Sequence, residues 1–127
     1  MSKQIKLIIP MRVFPKPRPR QGKYGNFYTP RDEREDNLEG YFWQFCTENK
    51  LKLIDYCINL QCKFYVKGKA GMDLDNAAKS IWDCGKGILW KNDNQIKKSS
   101  EEFIEYSEKD KIEIIIKEIA DAKNKIR

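Results

Sequence analysis

An alternation of apolar and polar residues over 54–67 is the feature that most constrains the fold. Apolar side chains recur at every second position, at Tyr56, Ile58, Leu60, Cys62, Phe64 and Val66, and the intervening residues are mostly polar. Successive side chains of a strand point to opposite faces of a sheet. The segment is therefore predicted to be a β-strand with one buried face.

Further strand signals lie towards both ends of the chain. Residues 5–14 are rich in Ile, Leu and Val, and Pro10 restricts that strand to a sheet edge or a bulge. Residues 96–106 and 112–119 predict an antiparallel pair of strands, because the turn residues 107–110 lie between them.

Two helices are predicted between these strands. Thr29 as N-cap and Pro30 at the first helical position begin a helix that runs to about residue 50. A second helix, with Asp75 or Asn76 as N-cap, runs to about residue 85. The order β-α-β-α-β-β predicts an α+β fold, in which helices pack on a mixed β-sheet, and the length predicts a single domain over 1–127.

The net charge of +6 is concentrated at the N-terminus. Residues 1–31 contain eight Lys or Arg and no acidic residue, so the other 96 residues sum to −2. Within this region, the Pro/Arg-rich segment 14–30 cannot form a helix or a central strand, and we expect it to be extended. Its basic and aromatic side chains predict contacts with nucleic acid, through Lys16, Arg18, Arg20, Lys23 and Tyr28. On charge alone, a solubilising basic tail is the alternative.

Residue types exclude several kinds of chemistry and location. The chain has no histidine, which excludes Ser-His-Asp and Cys-His catalysis, and its four cysteines do not form a zinc motif. No apolar run approaches the roughly 20 residues that span a bilayer. We therefore expect a cytoplasmic protein with no membrane contact, ending in a polar tail at 120–127.

Three carboxylates and a lysine lie within residues 73–93. In an extended segment Asp73 and Asp75 face the same way, and two such anions repel unless a cation lies between them or one is protonated. Mg²⁺ prefers oxygen ligands and often binds one or two carboxylates plus substrate phosphates. On the following helix Asp75, Lys79 and Asp83 share one face, where a salt-bridge ladder is the alternative interpretation. The block predicts a metal site that acts on a phosphodiester.

A longer pattern surrounds this block. It reads Gly71-Met72-Asp73-Leu74-Asp75-Asn76-x-x-Lys79-x-x-x-Asp83, and then Gly87-Ile88-Leu89-Trp90-x-x-Asp93-x-Gln95-Ile96. Together with the basic segment and Tyr28-Thr29-Pro30, it resembles the RusA-like Holliday-junction resolvases over about residues 5 to 117.

The resemblance implies a small homodimeric endonuclease, often encoded by prophages, that depends on Mg²⁺, with Mn²⁺ as a possible substitute, and uses no small-molecule cofactor. Its substrate would be branched DNA in the form of four-way junctions. The implied metal ligands are Asp73, Asp75 and Asp93, and Lys79 would also be required for cleavage. We expect Asp83 and Asn76 to contact these residues without binding the metal themselves.

Two alternatives to this function stay open, and one departure from the family pattern favours the first. The family often has two adjacent aspartates where this chain has Asn92 and Asp93. A junction-binding or DNA-binding protein without cleavage activity is therefore one alternative. A different Mg²⁺-dependent nuclease, which acts on flaps or single strands, is the other.

Overall fold

A mixed four-stranded sheet with two helices on one face forms the body of the protein. The computed structural model describes residues 3–17, 20–28 and 32–119. In chain order the elements are β1 (Gln4–Ile9), β2 (Arg20–Gln21), β3 (Phe27–Tyr28), α1 (Glu33–Asn49), β4 (Ile58–Tyr65), α2 (Leu74–Gly85), β5 (Ile96–Ile104) and β6 (Lys111–Glu118). The sheet order is β1-β6-β4-β5, with β4 parallel to β5 and β6 antiparallel to both β1 and β4. The predicted α+β architecture is confirmed.

The alternating segment forms the central strand β4, as predicted. Its apolar positions are buried and the residues between them are partly or fully exposed. The buried face joins a single core with Leu38 and Phe42 of α1 and Ile81 of α2. The first strand ends at Ile9, immediately before Pro10, and lies at an edge of the sheet, as a residue without a backbone N–H requires.

The predicted pairing of the last two strands is wrong. Both strands exist, but β4 lies between them and pairs with each. The helix α2 connects β4 to β5, and a connection of that length allows the two strands to run parallel. The chain after β5 then crosses the end of β4, where the N–H of Tyr106 donates to the Gly68 carbonyl at 2.9 Å and that of Ser107 to the Val66 carbonyl at 2.9 Å. Periodicity predicted each strand without predicting its partner.

Both helices begin at residues other than those predicted. The N-cap of α1 is Asp32, which accepts from the Arg34 N–H at 2.9 Å and donates its own N–H to the Glu35 carboxylate at 3.1 Å. This reciprocal capping box fixes the helix start after the predicted cap, Thr29, which lies outside the described residues with Pro30. The N-cap of α2 is Asp73 and not Asp75 or Asn76, so Asp75 is the second residue of the helix.

The basic segment contains an unpredicted two-stranded ribbon. β2 pairs with β3 in antiparallel register, Arg20 opposite Tyr28 and Gln21 opposite Phe27. Gly25 supplies the turn with a φ of +85°, a conformation that suits glycine. Residues 18–19 lie outside the described part of the chain, as does the predicted tail at 120–127. Within the described ranges, no helix is long and apolar enough to cross a membrane.

Candidate active site

A clamp built on one arginine fixes the loop that leads to the aspartates. The Arg12 guanidinium donates to the carbonyls of Lys67 at 3.1 Å, Lys69 at 2.7 Å and Ala70 at 3.2 Å. It also pairs with the Asp110 carboxylate at 3.2 Å, which in turn accepts from the Lys67 N–H at 2.8 Å. These bonds join the loop after β4 to the start of β6, so the entry into α2 has a defined position.

The first two aspartates stand at the N-terminus of α2. Asp73 is the N-cap, with extended backbone angles, yet its exposed side chain makes no capping hydrogen bond. Asp75 lies in the first helical turn, where the helix dipole favours an anion, and its side chain is 84% exposed. The expectation that both lie in one extended segment is wrong, because the helix begins between them. Both carboxylates are nevertheless accessible to a ligand from solvent.

Two ion pairs follow along the same helix. The Lys79 ammonium lies 3.3 Å from the Asp75 carboxylate, one turn away. The Asp83 carboxylate, a further turn along, lies 2.8 Å from the Lys16 ammonium. The Lys16 N–H also donates to the Asn76 carbonyl at 3.1 Å, so the start of the basic segment lies against α2. The predicted shared face exists, but Asp83 pairs with Lys16 from outside the helix.

Lys16 lies in a negative field. Its hydrogen bond to Asp83 raises the pKa of its ammonium above the ordinary value, and the charges of Asp83, Glu35 and Asp93 add to this effect against the opposing cost of burial. Lys16 is therefore a cation at neutral pH and is engaged with α2. The sequence predicts a DNA contact for Lys16, whereas in this structure its ammonium forms an ion pair with the Asp83 carboxylate.

Asp93 rests on a buried support. It begins a short 3₁₀ turn, Asp93–Gln95, and its carboxylate accepts from the Trp90 indole N–H at 3.1 Å. Trp90 is fully buried, and its ring lies so close to Gly85 that a β-carbon there would overlap it. Asp93 itself is only half buried. The contact thus orients a carboxylate at the surface from a rigid residue beneath it.

A buried glutamine holds the same turn in place. Gln95 is fully buried and donates through Nε2 to the carbonyls of Ile54 at 2.8 Å and Tyr56 at 3.0 Å. Its Oε1 accepts from the Asn92 N–H at 2.6 Å. Since Asn92 contributes a backbone donor here, any residue other than proline could make this bond. The sequence pattern includes Gln95 but does not predict this role for it.

The three aspartates come from two parts of the fold. Asp73 and Asp75 begin α2, whereas Asp93 follows its C-terminal end. Over residues 3–17, 20–28 and 32–119, no group of three or more His, Cys, Asp or Glu side chains is close enough to hold a metal ion. Two carboxylates with substrate phosphate oxygens suffice for Mg²⁺, which usually retains several waters. Asp73 and Asp75, both exposed at the start of α2, carry the carboxylate oxygens that such a cation prefers.

The basic ribbon carries exposed aromatic rings. Tyr24 is 89% exposed and Phe27 75% exposed, and Tyr28 is also exposed. The Lys23 ammonium lies 5.9 Å from the centre of the Tyr24 ring. Arg18 lies outside the described residues, and of Arg20 only the backbone is described. Rings and cations together on a ribbon suit a nucleic-acid strand.

Arg12, Trp90 and Gln95 are supporting residues that sequence reasoning missed. Arg12 was counted only as part of the basic N-terminus, yet its partners lie more than fifty residues away in sequence. No local pattern marks such contacts. Trp90 and Gln95 lie within the sequence motif around Asp93. The motif indicated that they belong to the site, but it did not predict their hydrogen bonds.

A nuclease fits this arrangement of exposed carboxylates, an adjacent lysine and a basic aromatic ribbon. A search of curated proteins found no match. The family model described as Endodeoxyribonuclease RusA matches residues 10–117, well over half of the chain. The chain therefore belongs to the RusA endodeoxyribonuclease family. Members of this family are endonucleases that resolve Holliday junctions in DNA recombination, and their substrates are branched DNA.

Proposed function

We propose that this protein is a Mg²⁺-dependent endonuclease that resolves Holliday junctions by paired, symmetric nicks during DNA recombination and repair. Mn²⁺ is the expected substitute for Mg²⁺, and no small-molecule cofactor is needed. The protein would act in the cytoplasm as a homodimer. A prophage origin, typical of the family, is part of the same proposal and can be tested from the neighbouring genes.

The observation that carries the proposal is the exposed carboxylate pair at the start of α2. An aspartate at an N-cap ordinarily accepts a backbone hydrogen bond, and Asp73 makes none. Asp75 is 84% exposed, so its charge contributes little to folding. Asp73 and Asp75 are two residues apart in sequence, and a divalent cation that bound both would offset their two negative charges. Bound there, Mg²⁺ would activate water and offset charge on the phosphate.

In this proposal, Lys79 would meet the phosphate. Its ammonium is 57% exposed and lies 3.3 Å from Asp75, so it can leave that pair at small cost. Beside a scissile phosphate it would neutralise charge that develops on the non-bridging oxygens. A salt-bridge ladder on a solvated helix remains the competing explanation for this pair.

Asp93 and Asp83 have different parts in this proposal. Asp93 is the third carboxylate of the set, and the Trp90 indole fixes which way its oxygens point. Asp83 holds Lys16 at 2.8 Å and so ties the basic segment to α2, beside the carboxylates. Asp83 would thus position neighbouring groups rather than bind metal.

The basic segment would track the DNA backbone without reading sequence. Replacing Arg18, Arg20 and Lys23 with Gln should weaken junction binding and flatten its dependence on salt, by about 0.9 in logarithmic slope for each phosphate that is no longer neutralised. Lys52→Gln, which removes an exposed lysine of the loop after α1, is the matched control. An unchanged slope would return the segment to the solubilising-tail alternative.

Cleavage of a synthetic four-way junction separates the candidate functions. The proposal predicts paired nicks at symmetric positions that require Mg²⁺, with little cleavage of flaps or single strands. Junction binding without cleavage at any divalent-ion concentration would favour the binding protein suggested by Asn92. Preference for flaps or single strands would favour the other nuclease.

A further inference from the structure

Tyr106 presents an exposed ring from a backbone conformation that tyrosine rarely adopts. It follows β5, its φ is +57°, in the left-handed region, and the residue is 70% exposed. Bulky residues are uncommon in that region because the β-carbon crowds the following carbonyl oxygen. Among the described residues, the other non-glycine residue with a positive φ is Lys50, the C-cap of α1, where this conformation is ordinary. Tyr106 ends no helix, so its conformation needs another reason.

Hydrogen bonds from the neighbouring loop fix the backbone on both sides of this residue. The N–H of Tyr106 donates to the Gly68 carbonyl at 2.9 Å, and the carboxylate of the preceding Glu105 accepts from the Ala70 N–H at 2.7 Å. Glycine or asparagine at position 106 could make the same backbone bond at lower conformational cost. An exposed ring also buries little apolar area. The choice of tyrosine therefore indicates a function for its ring.

Tyr106 lies at the edge of the sheet from which the candidate site begins. β4 and β5 are parallel, so they end at the same edge, and α2 begins there after the loop 66–72. Tyr106 bonds to Gly68 within this loop, and the loop leads directly to Asp73. The ring therefore belongs to the surface beside the carboxylates, and it comes from a different part of the chain from the basic ribbon.

Two exposed lysines accompany the ring on this surface. Lys67 and Lys69 stand on either side of Gly68 in the sequence, and both are exposed. Arg12 fixes their backbone through the two carbonyls, at 3.1 and 2.7 Å. The nearby Asp110 carboxylate is already paired with Arg12. An aromatic ring with cations around it is the combination with which proteins bind an unstacked base and the phosphates of its strand.

The base that binds here must have a free face. Within an intact duplex each base is stacked on both sides, whereas a base at the branch point of a junction can lose one neighbour. We propose that the Tyr106 ring stacks on such a base at the branch point, while Lys67 and Lys69 contact the phosphates of the same strand. The strained turn holds the ring outward before DNA arrives. This role rests on the proposed function and adds a substrate-binding residue to it.

Two substitutions separate a binding role from a folding role. Tyr106→Asn removes the ring but tolerates the left-handed conformation, so Tm should stay the same or rise. Its affinity for a labelled synthetic four-way junction, measured by fluorescence anisotropy in EDTA, should fall about tenfold, as expected for the loss of one stacked base. Its affinity for a linear duplex should not change, since a duplex offers no free face. Tyr106→Phe keeps the ring and should bind the junction like the original chain.

The control is Trp43→Ala, which removes an exposed ring from α1 and should leave junction binding unchanged. Normal junction binding by Tyr106→Asn would overturn the stacking role and leave the proposed nuclease intact. A lower Tm for Tyr106→Asn, or equal weakening by Tyr106→Phe, would also overturn it, because the residue would then act through the fold or its hydroxyl. An original chain that did not bind junctions at all would contradict the proposed function together with this role.

Discussion

The two halves of the candidate site are built in opposite ways. Asp93 is fixed from below by Trp90 and by the turn that the buried Gln95 holds, both fully inside the core. Asp73 and Asp75 stand in solvent at the start of α2, and Arg12 clamps the loop before them. Changes beneath Asp93 should therefore reduce stability, whereas changes at the start of α2 should reduce rate and leave folding intact.

The largest effect is expected from the support of Asp93. Trp90→Ala removes a fully buried ring and should lower the free energy of unfolding by about 3–5 kcal/mol. Trp43→Ala is the matched control, because Trp43 is 56% exposed on α1 and its loss should cost well under about 1 kcal/mol. Denaturant unfolding of both variants measures the difference. Equal losses would mean that Trp90 does not form the rigid base described here.

The second-largest loss of stability is expected from replacing the buried Gln95. Gln95→Leu replaces the amide with a shorter apolar side chain. It leaves the Tyr56 carbonyl and the Asn92 N–H without their bonds to Gln95, whereas the Ile54 carbonyl keeps a bond from the Lys91 N–H at 3.3 Å. Each unsatisfied buried group costs about 1–3 kcal/mol, so a total loss near 3 kcal/mol is expected in urea unfolding. Gln44→Leu, at an exposed position of α1, should change stability little. If Gln95→Leu left the free energy of unfolding unchanged, the turn at 93–95 would not depend on the hydrogen bonds of Gln95.

At the exposed start of α2, a substitution should reduce the cleavage rate and leave stability almost unchanged. Lys79→Ala removes one surface pair, worth a few tenths of a kcal/mol, so Tm should barely move. Single-turnover cleavage should fall by about a hundredfold if the ammonium meets the scissile phosphate. Lys79→Arg should rescue only partly, because its planar fork differs from a compact ammonium. The control Lys52→Ala should cleave normally. If Lys79→Ala also cleaved normally, a surface salt bridge would be the only role left for Lys79.

The sequence predicted what depends on local pattern. Alternation over 54–67 predicted β4 and its buried face, and Pro10 predicted an edge strand. The partner of β5 was missed because a strand's periodicity is the same whichever neighbour it has, and here the α2 crossover decided the pairing. The start of α1 was missed although the Asp32–Glu35 capping box was readable, because Thr29 and Pro30 offered a competing signal.

The candidate site was also predicted only where it depends on local sequence patterns. The residues of the aspartate block were named from spacing and resemblance, and the Lys79–Asp75 pair follows from helical spacing alone. The Lys16–Asp83 pair and the Arg12 clamp join residues far apart in sequence. Tertiary packing creates those contacts, and no short motif in a single sequence records them.

Asp75→Asn tests the central claim most directly. The change keeps the size of the side chain and removes a charge that is 84% exposed, so folding and junction binding should be nearly unchanged. Single-turnover cleavage of a four-way junction in Mg²⁺ should fall far below about a tenth of the original rate, a barrier increase well above ~1.4 kcal/mol. Glu48→Gln, in the last turn of α1, should cleave normally. If Asp75→Asn retained more than that tenth, Asp75 would not be a metal ligand.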